Sequence, residues 1–277
     1  MTPYPGDDRD CSTPLVKRCH VASESGPLSL GSYVPPPQEP STPDPLAGPD
    51  PPTQQERGEL APAGSKRPDK LPCTYFTSIA DRFEDLACRC DAIPTTAFLD
   101  ACSAVPKLLL AIGGKPLITL SLDMSNNIHK MQTKLKLHPS KSDTLQAIVH
   151  LEIGTQTTHA KHSATVALLW LYRELVFVRE FLLVVVEAAG VSNMAGSFVE
   201  CYERTLRPHH NMMSRSIYSV AAKAIPYRED MLRSLGHDGM LHTDTAVLRD
   251  LTTYSNAIAT VTKYIETFYI NNKLLAL

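Results

Sequence analysis

The sequence predicts an all-α domain that follows a long N-terminal tail without regular structure. From residue 95 onward, apolar residues recur at the spacings of three and four that are typical of amphipathic helices. No run of alternating apolar and polar residues is long enough to indicate a sheet. The prolines are unevenly distributed, since 16 of the 22 lie at or before Pro72. We therefore expect about eight helices, all in the C-terminal part of the chain.

The N-terminal segment is rich in Pro, Ser, Thr, Gly and Asp and poor in aromatic residues. It contains the runs Pro35-Pro36-Pro37 and Pro51-Pro52. Such a composition cannot bury enough apolar surface to offset the entropy lost on ordering the chain. The sequence therefore predicts a disordered tail over residues 1–70. Residues 71–277 are long enough to form one domain around a sizeable core.

The first three predicted helices have clear start and stop signals. The helix over 95–111 is followed by Gly113-Gly114, a pair that ends helices. The helix over 117–137 is closed by Pro139, because a proline cannot continue a helix. Ser142-Asp143 is predicted to open a third helix, which extends to residue 153.

The helix over 162–188 is apolar on most sides, which predicts a central position in the core. Charged residues such as Arg173 and Glu174 interrupt it, whereas a membrane span needs about 20 nearly uninterrupted apolar residues. Two helices follow at 197–206 and 209–225, and the second has an apolar stripe through Met213 and Ile217. A last long helix, or a pair of helices, is predicted over 243–275.

Composition argues against several classes of protein. A net charge of −2 gives no basic surface for nucleic acid. The seven cysteines are scattered and odd in number, which favours free thiols in a reducing compartment. The first residues lack the apolar segment of a secretory signal. These observations predict a cytoplasmic protein.

Enzymatic signatures are weak. His159 and His162 have the spacing of two metal ligands on one helical face, but no third ligand and no H-E-x-x-H pattern accompany them. The sequence also contains no G-x-S-x-G motif and no glycine-rich phosphate loop. We therefore predict no enzymatic activity, no metal site and no cofactor.

Five residues stand out because they place polar or aromatic groups on helices that should be apolar. Asp123, Asn127 and Lys130 have a spacing that brings a carboxylate, an amide and an ammonium to one helical face. Trp170 is the only tryptophan and lies within an apolar run, and His210 begins an apolar stripe. Taken singly, each has an ordinary explanation: a solvated face, a core aromatic side chain and a helix-capping histidine.

Together these residues belong to a longer pattern. Four stretches carry it: IPTTAFL at 93–99, LDMSNNIHK at 122–130, SATVALLWL at 163–171 and TLRPHH at 205–210. In this order and spacing, over about 140 residues, they resemble the glycolipid transfer protein (GLTP) family. The likeness is to the transfer domain at the C-terminus of the four-phosphate adaptor proteins.

The resemblance implies a two-layer sandwich of helices that binds one glycosphingolipid, such as glucosyl-, galactosyl- or lactosylceramide. It implies that Asp123, Asn127 and Lys130 hydrogen-bond the sugar and that Trp170 stacks on the first ring. It also implies that His210 contacts the ceramide amide and that an apolar tunnel takes the hydrocarbon chains. The expected protein is a monomer that touches membrane surfaces transiently and transfers the lipid between them.

One departure from the family pattern and one related branch of the family leave alternatives open. The family has His-Gly-Trp where this chain reads His210-Asn211-Met212. Loss of that tryptophan, whose side chain favours membrane interfaces, leaves a glycolipid sensor or adaptor that does not transfer lipid as one alternative. The other is the branch that carries ceramide-1-phosphate, which has arginines where this chain has Val166 and Trp170. The latter two residues favour a neutral sugar.

Overall fold

The computed structural model describes residues 74–79, 82–87, 92–236 and 243–277. The prediction for residues 1–70 lies outside the described residues. All of these described residues belong to one compact unit.

Nine α-helices lie in the described part of the chain. They are α1 (Phe83–Ala87), α2 (Thr95–Gly113), α3 (Ile118–Leu137), α4 (Leu145–Gly154), α5 (Ala164–Glu187), α6 (Ala195–Thr205), α7 (Met212–Ala222), α8 (Arg228–Leu235) and α9 (Thr243–Asn271). Extended pairing among these residues is limited to three isolated β-bridges. The prediction of an all-α fold is confirmed.

Helix α5 is central, because α3, α4, α6 and α9 all pack against it. Its buried aromatic residues Phe177 and Phe181 contact Phe198 of α6 edge-on, at centroid separations of 5.3 and 5.4 Å. Burying a side chain of this size contributes about 1.5–3 kcal/mol. The apolar residues on most sides of this helix are therefore buried in the core.

Helix α2 is, among the described helices, the one long and apolar enough to cross a membrane by length and composition. Phe98, Cys102, Val105 and Leu109 of this helix are all buried in the core. Its apolar content is accounted for by this packing. The helix ends at the predicted glycine pair, where Gly114 has a φ of 55° that favours glycine.

Several helix boundaries differ from the prediction. Helix α4 is capped by Thr144, whose side chain accepts from the Ala147 N–H at 3.1 Å, and not by Ser142-Asp143. Helix α7 begins at Met212 after an Asn211 cap, so His210 lies outside the helix in an extended conformation. The short helices α1 and α8 were not predicted, and α9 ends at Asn271 instead of residue 275.

The prediction that His159 and His162 share a helical face is wrong, because both lie in the turns between α4 and α5. Within the described ranges, no group of three or more His, Cys, Asp or Glu side chains could hold a metal ion.

The apolar stripe of α7 faces outward. Met212 and Met213 are 82% and 76% exposed, and Val220 is 68% exposed. The residues of α7 that join the core are instead Tyr218 and Ala222. A helical period identifies an apolar face but does not say whether another element covers it.

Candidate functional site

The polar residues of α3 form a connected row at the surface of the α3–α5 contact. The Lys130 ammonium donates to Asn127 Oδ1 at 3.0 Å, and Asn127 Nδ2 donates to Glu174 Oε1 of α5 at 3.3 Å. Asn127 is only 6% exposed, whereas Asp123 lies at the surface one turn earlier. The amide is therefore held from both sides, with the ammonium of Lys130 beside it.

Glu174 lies beneath this row and is 3% exposed. Burial, and after it the nearby Asp123 carboxylate, raises the pKa of Glu174 well above its usual range, against the opposing effects of Asn127 and Lys130. Its second oxygen, Oε2, has no hydrogen-bond partner among the described residues. A neutral carboxyl group costs far less to bury than a carboxylate, so the fold favours the protonated form of Glu174.

In contrast to Glu174, Asp123 is exposed at the surface of the row. Partial burial raises the pKa of its carboxyl group, and the Lys130 ammonium lowers it. Because Asp123 reaches the surface, it can accept hydrogen bonds from a ligand outside the fold.

Trp170 is half-buried and stacks on His210, with ring centroids 5.4 Å apart and an interplanar angle of 24°. The Arg173 guanidinium lies 5.2 Å from the indole centroid. Arg173 is itself held by a hydrogen bond of 3.0 Å to the Leu275 carbonyl. The indole is thus fixed by aromatic and cation–π contacts while part of it reaches solvent.

His210 is positioned by the short turn Arg207–His209 that follows α6. Its Nδ1 lies 3.2 Å from the Tyr202 hydroxyl. Burial, followed by the charges of His209, Arg215 and Arg173, lowers the pKa of His210 to about 4. The imidazole is therefore neutral at pH 7, and a neutral imidazole offers one donor and one acceptor.

Tyr218 of α7 joins the aromatic pair to the polar row. Its ring lies 5.0 Å from that of His210 and stacks on Tyr202 at 4.5 Å. Burial, and after it the proximity of Glu174 and Asp123, raises the pKa of Tyr218. The five predicted site residues therefore lie in one connected region, bridged by side chains that were not predicted.

Glu174, Tyr202 and Tyr218 bridge the site, and the sequence did not predict this role. The available sequence signal for Glu174 was a charged residue one turn after the single tryptophan in an apolar helix. Nothing comparable marked the two tyrosines, because tyrosine is common in ordinary cores.

Replacing Glu174 with Gln should increase stability at neutral pH. Between the ordinary pKa of 4.5 and the raised pKa in the fold, the unfolded chain releases a proton that the folded chain keeps. The free energy of unfolding contributed by Glu174 therefore falls as pH rises through this window, with a limiting slope of about 1.4 kcal/mol per pH unit.

Urea unfolding of the parent and Glu174→Gln proteins from pH 5 to 8 would measure this difference, since other titrating groups contribute equally to both. Glu174→Leu is the matched control. It should destabilise the protein, because it leaves the Asn127 N–H without its acceptor. Parallel pH profiles for the parent and Gln proteins would show that Glu174 is ionised in the fold.

In this helical domain a row of hydrogen-bonding side chains adjoins a half-exposed indole and a neutral imidazole, an arrangement chemically suited to a polar ligand. The model of the glycolipid transfer protein (GLTP) family matches residues 93–237. The chain belongs to this family.

Relatives agree with this assignment. A glycolipid transfer protein of Aureobasidium melanogenum is 31% identical over 195 residues, which are 70% of this chain and 92% of that protein. Pleckstrin homology domain-containing family A member 8 of Danio rerio is 34% identical over 201 residues, or 71% of this chain. The match spans only 36% of the length of that relative.

Among solved structures, one described as showing how FAPP2 selects simple glycosphingolipids using the GLTP fold is 31% identical to this chain. It superposes with a TM-score of 0.66 over 73% of this chain and 97% of that one. The predicted two-layer helical sandwich of the GLTP type is confirmed.

Proposed function

We propose that this chain binds one glycosphingolipid and transfers it between membranes as a monomeric, non-enzymatic carrier of the cytoplasm. The lipid-binding unit is residues 71–277. The observation that carries the proposal is the position of the α3 row beside the Trp170–His210 pair. Polar groups suited to a sugar thus adjoin an aromatic surface and a neutral imidazole.

The sugar binds along the row and against the indole. Its hydroxyls both donate and accept, so they match the Asp123 carboxylate and the Lys130 ammonium. Asn127 is largely buried, and its Oδ1 accepts a hydrogen bond from Lys130. Asn127 contacts the sugar through the hydrogen-bonding capacity of its amide that these internal contacts do not use. Trp170 covers the apolar C–H face of the first ring.

The ceramide portion meets His210 and the apolar interior. An amide group needs one acceptor and one donor, which a neutral imidazole provides. Each CH₂ group moved from water into an apolar environment contributes about 0.8 kcal/mol, so the hydrocarbon chains supply most of the affinity.

The features of the site favour a neutral sugar over a phosphate. Phosphate recognition uses the forked guanidinium group, yet Val166 and Trp170 occupy the relevant turn of α5. The nearby guanidinium of Arg173 lies over the indole and donates to a backbone carbonyl. It is therefore engaged within the fold.

The exposed face of α7 favours transfer over the sensor alternative. Met212 and Met213 project from the start of this helix, directly after the His210 segment. Exposed apolar side chains beside a lipid site can insert into a bilayer surface, although methionine anchors less strongly than tryptophan.

A vesicle assay tests the function. The parent protein should move fluorescent galactosylceramide from donor to acceptor vesicles. The double variant Met212→Ser, Met213→Ser should bind the lipid as the parent does and transfer it several-fold more slowly, because it loses the apolar contact with the bilayer. Substituting Ser for Val191, another exposed apolar residue, provides a matched control.

Lipid binding by the parent without any transfer would show that the protein is a sensor. Absence of both binding and transfer would contradict the proposed function.

A further inference from the structure

One buried polar atom at the centre of the site has no role in the function described so far. The Glu174 carboxyl group lies inside the fold, and its Oε1 accepts a hydrogen bond of 3.3 Å from Asn127 Nδ2. Its Oε2 has no hydrogen-bond partner among the described residues. A polar atom that is shielded from water and unpaired costs free energy, and most such atoms in proteins have a partner. A ligand group that pairs with Oε2 would remove this cost.

Glu174 lies between the two parts of the site. On one side, its hydrogen bond to Asn127 connects it to the α3 row. On the other side it is close to Tyr218 of α7, whose pKa it raises after burial, and the Tyr218 ring lies 5.0 Å from that of His210. Towards the interior, Glu174 also raises, after burial, the pKa of the fully buried Cys102 thiol of α2. The carboxyl group therefore separates the groups proposed for the sugar from those proposed for the ceramide amide.

We propose that Glu174 is a specificity-determining residue whose Oε2 hydrogen-bonds a hydroxyl group beside the amide of the bound ceramide. This inference rests on the proposed function, in which the sugar occupies the α3 row and the amide meets His210. Glycosylceramides carry such a hydroxyl group on the third carbon of the sphingoid base. Some carry another on the second carbon of the acyl chain. Both positions lie close to the amide group.

A hydroxyl group suits Oε2 in either ionisation state of the carboxyl group. In the protonated form that the fold favours, Oε1 accepts from Asn127, so the proton lies on Oε2 and is donated to the hydroxyl oxygen. In the ionised form, Oε2 accepts from the hydroxyl group. Burial has already removed Oε2 from water, so the new hydrogen bond adds affinity without further desolvation of this atom. A CH₂ group at the same place would leave Oε2 unpaired, and such sites reject ligands that lack the hydroxyl group.

The experiment compares three galactosylceramides that differ only in these hydroxyl groups. One has an unsubstituted acyl chain, the second has a 2-hydroxyacyl chain, and the third has a 3-deoxy sphingoid base. Binding of each lipid to the intact chain is measured from the emission of Trp170. For the parent protein, we expect the hydroxyl group that meets Oε2 to change the affinity about tenfold. Tighter binding of the 2-hydroxyacyl lipid assigns the contact to the acyl chain, and weaker binding of the 3-deoxy lipid assigns it to the sphingoid base.

Variants of Glu174 separate this contact from the stability of the fold. Glu174→Leu should bind the three lipids with similar affinities, and a general loss of affinity cancels because each comparison is made within one protein. Glu174→Gln keeps an acceptor for Asn127 and places an N–H donor at Oε2, so it should discriminate as the parent does. Tyr172→Phe is the matched control. It removes a different hydrogen bond of α5, donated by the Tyr172 hydroxyl to Glu266 at 3.2 Å, and should keep the discrimination.

Equal affinity of the parent for all three lipids would overturn the inference and leave the proposed function intact. The same discrimination in Glu174→Leu would also overturn it, since another group would then contact the hydroxyl. No binding of any of the three lipids would overturn the inference and the proposed function together. The comparison within the parent needs no variant, so it tests the inference even if Glu174→Leu does not fold.

Discussion

Replacing Asp123 with Val should weaken glycosylceramide binding by roughly 10- to 150-fold and leave the fold intact. The carboxylate lies at the surface end of the α3 row, and its substitution removes a charged acceptor from a preorganised site. A hydrogen bond to a charged group contributes on the order of 1.5–3 kcal/mol, which corresponds to this loss of affinity. The measurement is a titration with glucosyl- or galactosylceramide, with helicity checked by circular dichroism.

Two further variants test whether the lost affinity comes from the carboxylate of Asp123. Asp123→Asn keeps an acceptor and removes the charge, so its affinity should lie between those of the parent and the Val variant. Ser125→Val introduces the same side chain about 200° around the helix, away from the row, and should bind as the parent does. Unchanged binding by Asp123→Val would mean that the row is an ordinary solvated helix face.

The sequence predicted those parts of the fold that local chemistry determines. Helices α2 and α3 end where expected, because Gly114 permits a positive φ and Pro139 cannot continue a helix. The long apolar pattern of α5 predicted its central position. Helices α1 and α8 have only five and eight residues, too few for a periodic pattern, and tertiary packing stabilises them.

The site was predictable only in part. The spacing of Asp123, Asn127 and Lys130 indicated a shared face, but not that Asn127 would be buried against a carboxyl group of another helix. Such a contact joins residues 47 positions apart and depends on how α3 packs on α5. The extended conformation of His210 was not predicted either. The apolar stripe indicates that α7 begins at His210, whereas Asn211 caps the helix.

Replacing Trp170 with Ala should abolish most glycolipid binding while costing less stability than the loss of a core aromatic residue. A fully buried Trp or Phe changed to Ala typically costs about 3–5 kcal/mol. Trp170 is only half-buried, and its main contacts are the ring of His210 and the guanidinium of Arg173. Removal of the indole should lower the affinity for glycolipid on the order of tenfold or more, since both stacking and apolar contact with the sugar are lost.

Tryptophan fluorescence comes from this site alone, because Trp170 is the only tryptophan in the chain. Glycosylceramide should shift its emission to the blue, since a sugar ring over the exposed part of the indole excludes water. Ceramide without a sugar should do much less. Trp170→Phe keeps an aromatic face and should retain part of the transfer activity, measured with a labelled lipid. Emission that is already typical of a fully buried indole and does not respond to glycolipid would place Trp170 in the core and remove it from the site.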